Sequence, residues 1–324
     1  MVEIYGTLGP SCASIEILEE MFRSGMTGMR LNLSHISLAD AAEQVEAFHT
    51  AAARAGISPK LLIDMQGPEL RAGALTKPIP LEAGQEIELG GNGIPMPAAV
   101  LEKLKPGQEI LLDDGKLLLQ VTENKSTGKV LRGGLLQSSK SIALPGLTVT
   151  LPALTEADLA NLARARDFGV TGVMQPFVRS REDLKAIRTA LDAAGGAGIR
   201  LFAKIESREG MERLESLLPA ADEIVIARGD LGSAIPLWEL PAAQKQIAAA
   251  CRRAGKPFMV VTQMLSSMEQ NPVPTRAEVS DIFNAVLDGA ASVMVTGETA
   301  AGRYPVEVIR YLTATVREAE RYRQ

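Results

Sequence analysis

Short apolar runs alternate along the chain with stretches in which apolar residues recur every three or four positions. The first run, residues 4–8, reads as a strand, and Ser14 caps an amphipathic helix through Arg23 that Gly25 ends. Residues 27–31 make a second strand, Ser37 caps an alanine-rich helix to Ala55 closed by Gly56, and residues 60–65 make a third strand. The rhythm then changes. From about Arg71 to Leu151 only residues 98–104 suggest a short helix. The rest is β-type, at 86–89, 109–112 and 116–121, with turns at Gly90-Gly91-Asn92-Gly93 and Asp113-Asp114-Gly115 and prolines at 78, 80, 95, 97 and 106. The alternation resumes at Thr155, which caps a helix through Phe168. Strands follow at 171–175, 200–205, 223–228, 257–262 and 292–297, with helices at 181–194, 211–218, 240–254, 275–287 and 305–321.

Eight strands, each with its helix, predict an α/β chain folded as a (β/α)8 TIM barrel with a small β-rich domain inserted after strand 3. Residues 1–70 and 152–324 are assigned to the barrel and 71–151 to the insertion. An open doubly wound sheet uses the same alternation; the count of eight favours the barrel.

Composition narrows the function classes. A chain of 324 residues with 46% hydrophobic and 23% charged positions holds one barrel of about 250 residues and a small extra domain. The net charge of −5 and the lack of a long basic run argue against a nucleic-acid partner. No run approaches the ~20 apolar residues of a membrane span, and the N-terminus lacks a signal pattern, so no membrane association is expected. Cys12 and Cys251 have no metal or redox spacing and read as reduced thiols of a cytoplasmic protein. With only His35 and His49, a histidine-based metal site is poorly supported.

The candidate chemistry sits at strand ends, where a barrel carries its active site. Lys204 and Glu206 flank Ile205 and share one face of an extended strand, as a catalytic pair or as a structural ion pair. Asp230 follows Arg228-Gly229 past the next strand; Glu206 and Asp230 offer two oxygen ligands for Mg²⁺, and Gly229 lets a carboxylate or phosphate approach the backbone, or marks an ordinary turn. Arg30 and Arg71 suit phosphate oxygens or surface salt bridges. Asn32, Ser34 and Asp64 are oxygen donors for a monovalent cation, or turn caps. Thr262 and Thr296 bring hydroxyls to the ends of strands seven and eight, weak signals given the strand propensity of threonine. No P-loop and no G-x-G-x-x-G fingerprint is present.

Taken in order, Gly6-Thr7-Leu8-Gly9-Pro10-Ser11, Arg30-Leu31-Asn32-Leu33-Ser34-His35, Asp64-Met65-Gln66-Gly67-Pro68-Glu69-Leu70-Arg71, Asp113-Asp114-Gly115, Leu144-Pro145-Gly146 and the run from Lys204 to Pro305 resemble the motifs of the pyruvate kinase family over nearly the whole chain. The resemblance implies phosphoryl transfer between phosphoenolpyruvate and ADP, giving pyruvate and ATP. It implies that Lys204 stabilises the moving phosphoryl group and that Glu206 and Asp230 hold Mg²⁺ (or Mn²⁺). The amides of Gly229 and Asp230, with the Thr262 hydroxyl, would bind the pyruvate carboxylate. Thr296 would serve proton delivery to the enolate. Arg30, Asn32, Arg71 and Lys140 would contact phosphate or nucleotide, and Asn32, Ser34, Asp64 and the Met65 carbonyl would hold K⁺, with Glu69 the residue type of the potassium-dependent branch.

The chain departs from the family at Pro176-Phe177, where Ser-Phe is usual, at Lys140-Ser141-Ile142-Ala143, where Lys-Gly-Val-Asn is usual, and at Met65, where threonine is usual. It stops after the helix that follows strand eight, so a short form lacking the usual C-terminal domain and without sugar-phosphate allostery is expected, with a homodimer through barrel surfaces as one option for its assembly. Two other readings stay open: Mg²⁺-dependent enolate chemistry on a 2-oxo acid, by a decarboxylase or aldolase, and a non-catalytic binding protein derived from the kinase.

Overall fold

Every residue of Gly172–Gln175, Glu223–Ala227 and Phe258–Val261 is buried. Such continuous burial is what parallel strands covered on both faces require. The computed structural model describes residues 1–323 apart from 35, 114, 148 and 150. Eight strands close a parallel ring: β1 (Glu3–Thr7), β2 (Gly28–Asn32), β3 (Lys60–Asp64), β4 (Gly172–Gln175), β5 (Arg200–Ile205), β6 (Glu223–Ala227), β7 (Phe258–Val261) and β8 (Ser292–Met294). Each strand neighbours its predecessor in sequence, and β8 returns to β1. This is the expected (β/α)8 barrel.

Residues 1–67, 153–231 and 238–324 form one compact unit, and residues 68–152 with 232–237 form a second. The second unit contains a five-stranded antiparallel sheet in the order Ile142–Ala143, Glu109–Leu112, Leu117–Val121, Thr127–Arg132, Glu86–Glu88, and a pair formed by Ile79–Leu81 and Gly134–Leu136. Its own core includes Leu81, Ile94, Val100, Ile110, Leu119 and Val130.

Alternation along the barrel strands sorts the inward side chains into tiers. Tyr5, Leu62, Met174, Phe202, Val225, Met259 and Met294 fill the middle. Below them, Glu223 accepts from Arg200 Nη2 at 2.8 Å and from the Ser292 hydroxyl, and Glu3 accepts from Lys60 and from the Tyr5 phenol. Two aromatic rings fit in so narrow a barrel because glycines face them. A Cβ on Gly28 would lie 2.6 Å from Tyr5 Cε1, and one on Gly172 would lie 2.6 Å from Phe202 Cε2.

Helix boundaries differ from expectation where local capping intervenes. Ser37 does not start a long helix. Its hydroxyl accepts from the Asp40 amide at 3.1 Å and closes a separate turn, so the helix proper is Ala42–Ala55, ended by Gly56 at φ 71°. Thr155 does start a helix, with a capping box to Asp158, but the helix is Glu156–Arg164. Beyond it the chain tightens, with Ala165 N bonded to Leu162 O, and turns at Gly169, φ 69°. The expected helix at 211–218 is two short pieces, Arg208–Glu212 and Leu214–Leu217, because the Ser207 hydroxyl accepts from the Gly210 amide and begins the first one early. Cys12 and Cys251 are free and buried. Among the described residues no helix is long and apolar enough to cross a membrane. His35, and Asp114 of the turn at 113–115, lie outside the described residues.

The interior glycines give a direct test of barrel packing. Gly172→Ala is expected to destabilise the fold by about 1–3 kcal/mol through overpacking against Leu62 and Phe202, read as a lowered midpoint in thermal or urea denaturation. An unchanged midpoint overturns the packing argument.

Candidate active site at the strand ends

Inward positions toward the carboxyl ends of β2, β3 and β5 carry charge. Lys204 lies two residues beyond Phe202 on β5, and Asp64 two beyond Leu62 on β3, so both project from the packed middle toward the carboxyl ends of the strands. Lys204 Nζ is 3.2 and 3.1 Å from the two Asp64 oxygens and 2.9 Å from Glu206 Oε1. Arg30 on β2 grips Asp64 Oδ2 from the other side, with Nε at 2.8 Å and Nη2 at 2.7 Å. Glu206, immediately past β5 and 1% exposed, takes a 2.8 Å bond from the Phe177 amide on Oε2. Its Oε1 faces the Lys204 ammonium at 2.9 Å.

Burial and charge compete over these groups. Burial opposes the charged form of Lys204, but Asp64 and then Glu206 outweigh it, and the ammonium is held charged well above its ordinary range. Burial also works against ionised Asp64, yet Lys204 and Arg30 together hold its carboxyl below the usual carboxylate range. Glu206 goes the other way. Burial first, then the negative charge of Asp230 and Asp64, push it up to about 8 against the opposing pull of Lys204.

Asp230 and Gly229 are not in an ordinary turn, the alternative weighed for this Gly-Asp pair. They lie in the first turn of the helix Arg228–Ala234, which begins directly after β6. Glycine at 229 avoids a tight contact, since a Cβ there would sit 3.1 Å from Thr262 Cγ2. Thr262 is not a strand residue. It follows β7 in the left-handed region at φ 79°, with Gln263 at φ 54°. A β-branched side chain there is an outlier, so the signal that strand propensity seemed to dilute is a strong one. Thr296 lies past β8, where its amide and hydroxyl donate to Glu298 Oε2 at 2.6 and 3.2 Å, while Glu298 Oε1 accepts from the Leu265 amide.

Asn32 and Asp64 are direct register partners across β2 and β3. The Asn32 carboxamide oxygen accepts from the Ser34 amide at 3.1 Å, the turn-capping role weighed for it, and the Met65 amide bonds to the Met174 carbonyl. Arg71 and Lys140 come together in the second unit, where Arg71 bridges to Ser141 and the Ala72 amide bonds to the Lys140 carbonyl. Arg71 pairs with Glu69 at 2.7 Å, and Lys140 with Asp113 at 2.9 Å.

Comparison with known proteins follows the same strands. The family model described as "Pyruvate kinase, barrel domain" matches residues 1–309. The chain belongs to the pyruvate kinase family. It is 38% identical over 322 residues to a pyruvate kinase of Geobacillus stearothermophilus, covering 95% of this chain and 55% of that protein. It is 39% identical to pyruvate kinase PKLR of Homo sapiens, covering 98% of this chain and 59% of the human protein. A pyruvate kinase of Clostridium perfringens is 36% identical, with 97% and 69% covered. The chain thus spans little more than half the length of the first two of these relatives.

Three residues of the site carry no assignment from sequence. Phe177, at φ 50°, presents its amide to Glu206. Glu298 fixes Thr296. Asp158, wholly buried, accepts from the Gln66 and Gly67 amides as well as from Thr155 and so ties down the chain after β3. Only Asp158 had a readable signal, the Thr-x-x-Asp spacing of a capping box.

The raised Glu206 gives a pH prediction. An acid whose folded value exceeds its unfolded one favours folding while protonated, and that contribution is lost as pH rises through the window between them. Stability of the metal-free protein should therefore fall between the ordinary glutamate value of 4.5 and about 8, and Glu206→Gln should make that fall shallower. Melting temperatures across this range check it, and parallel profiles for the two proteins overturn it.

Proposed function

We propose that this protein transfers the phosphoryl group of phosphoenolpyruvate to ADP, giving pyruvate and ATP in a cytoplasmic glycolytic step. The observation that carries this reading is a buried, charged lysine held between two carboxylates at the strand ends of a pyruvate-kinase-family barrel. Phosphoryl transfer asks little covalent chemistry of a protein and depends on positioning and charge neutralisation. A charge-fixed ammonium that accepts a third anion as the phosphoryl group passes meets that need.

The donors suit a divalent ion. Asp64, Glu206 and Asp230 bring three carboxyl groups against the two cations Lys204 and Arg30, and burial, then the charge of Asp230 and Asp64, raises Glu206 toward its neutral form, a cost that a bound cation would offset. No group of three or more acid, imidazole or thiol side chains able to cage an ion exists among the described residues. Two carboxylates, completed by substrate oxygens and water, fit Mg²⁺ or Mn²⁺. Glu206 and Asp230 would hold it, and the bound ion supplies Lewis-acid polarisation. The side-by-side Asn32 and Asp64, with Ser34 and the Met65 carbonyl, form an all-oxygen set suited to K⁺.

The remaining residues divide the substrates. The amides of Gly229 and Asp230 and the Thr262 hydroxyl are assigned the carboxylate of phosphoenolpyruvate. Thr296, oriented by Glu298, is assigned the passage of a proton to the enolate carbon. Arg30, Arg71 and Lys140 are assigned phosphate and nucleotide oxygens, for which guanidinium forks are well shaped.

The deciding experiment is a coupled assay with phosphoenolpyruvate, ADP, Mg²⁺ and K⁺. Sustained pyruvate formation is expected, and its absence at saturating substrates overturns the reading. Lys204→Met should lower kcat by about a thousandfold or more with a far smaller change in KM, because its interaction is strongest in the transition state. Lost substrate binding with kcat retained contradicts that role. Activity should also rise with K⁺ and respond weakly to Li⁺; full activity in K⁺-free buffer removes the potassium assignment.

A further inference from the structure

Thr262 and Gln263 occupy left-handed backbone at φ 79° and 54° with no glycine to ease it. Such a conformation persists only where the surroundings over-determine it. Here the restraint is on the Thr262 carbonyl. Arg228, at the start of the helix after β6, donates to that oxygen through Nε at 3.1 Å and Nη2 at 2.7 Å. The guanidinium is itself fixed. Its Nη1 bonds both Asp281 oxygens at 2.8 and 2.6 Å and reaches Gln244 Oε1 at 3.4 Å, and Nη2 also contacts Met264 Sδ at 3.0 Å. The Arg228 side chain is 10% exposed, so these contacts act with little solvent screening. On the other side, the Thr262 methyl occupies space that a Cβ on residue 229 would approach to 3.1 Å, and glycine leaves that space free.

We infer that Arg228 is a positioning residue. Clamped by Asp281 of the helix Arg276–Leu287, it holds the peptide between Thr262 and Gln263 in its left-handed form and so aims the Thr262 hydroxyl beside the Gly229 amide. The carbonyl oxygen defines the plane of that peptide, so gripping it sets ψ of Thr262 and φ of Gln263 together. Arginine is needed because one flat fork must bond a carbonyl and a carboxylate at once; the point charge of lysine cannot span both. The clamp stands on these contacts alone, and only the identity of what the hydroxyl meets, the substrate carboxylate, rests on the proposed function.

The test has a structural arm and a kinetic arm. Crystal structures of Arg228→Lys and Arg228→Met without substrate should show the peptide between Thr262 and Gln263 rotated and Gln263 released from positive φ, whereas an unrotated peptide with Gln263 still near 54° overturns the clamp. In the kinetic arm, Arg228→Met should raise the KM for phosphoenolpyruvate about tenfold, the scale of one charge-assisted hydrogen bond, with a smaller change in kcat. Combined with Thr262→Val, it should add nothing to the loss caused by Thr262→Val alone, because both remove the same contact; additive losses overturn the proposal. Asp281→Asn should move KM in the same direction by a smaller factor, and it serves as the variant if Arg228→Met fails to fold. The cleft of about 480 Å³ that Arg228 and Asp281 line leaves room for free guanidinium to restore KM in Arg228→Ala, an effect a purely structural defect would not show. A wild-type protein without turnover removes the proposed function, while the crystal structures still decide the clamp.

Discussion

Burial alone would strip Lys204 of its charge, and the arrangement of the barrel mouth follows from preventing that. Asp64 and Glu206 hold the ammonium charged, and each carboxylate then needs a partner of its own. Arg30 serves Asp64, and the Phe177 amide serves Glu206. The donors and acceptors come from β2, β3, β5 and the turn after β4, segments far apart in sequence. Only a closed ring with fixed register brings them within hydrogen-bond distance. Asn32 and Asp64 stand opposite each other because β2 and β3 pair in that register, and a one-residue slip would turn Asp64 out of the site.

The two ends of the barrel handle their constraints differently. At the amino ends, acids and bases balance locally, as Glu223 does with Arg200 and Ser292, and glycines make room for Tyr5 and Phe202. At the carboxyl ends the backbone itself is strained, with Phe177, Thr262 and Gln263 left-handed just past their strands. Phe177 is restrained by Glu206, and Thr262 by Arg228, so the strain and the polar groups of the site hold one another in place. At this end of the barrel, local rules of sequence are broken where the polar groups are concentrated.

That contrast explains what could be read from the residues. The strands were legible because the middles of parallel barrel strands are short apolar runs, and Lys204 and Glu206 were legible because an i, i+2 pair shares a face whatever the register. Helix ends were less so, since Ser37 closes a turn with Asp40 that sequence does not distinguish from a cap. The partnership of Asp64 with Lys204 spans 140 positions and depends on the ring closing. The left-handed Thr262 had no glycine or asparagine to announce it, and its cause, Arg228 bound to Asp281 at a separation of 53, is tertiary. Side chains whose role is to hold another residue leave little local pattern.

A common device runs through both units. Arg30 is paired with Asp64 and Lys204 with Asp64 and Glu206; in the second unit Arg71 is paired with Glu69 and Lys140 with Asp113. Pairing suppresses repulsion among clustered cations and fixes long side chains that would otherwise lose rotamer freedom on binding. It has a consequence for any phosphorylated ligand. An arriving phosphate does not meet bare cations; it must share them with carboxylates already in place, and charge that was balanced becomes negative. Burial, and then the negative charge of Asp230 and Asp64, already raise the Glu206 carboxyl to about 8. A polyanion can settle beside these acids only if further positive charge comes with it, which is the part that the proposed Mg²⁺ or Mn²⁺ would play.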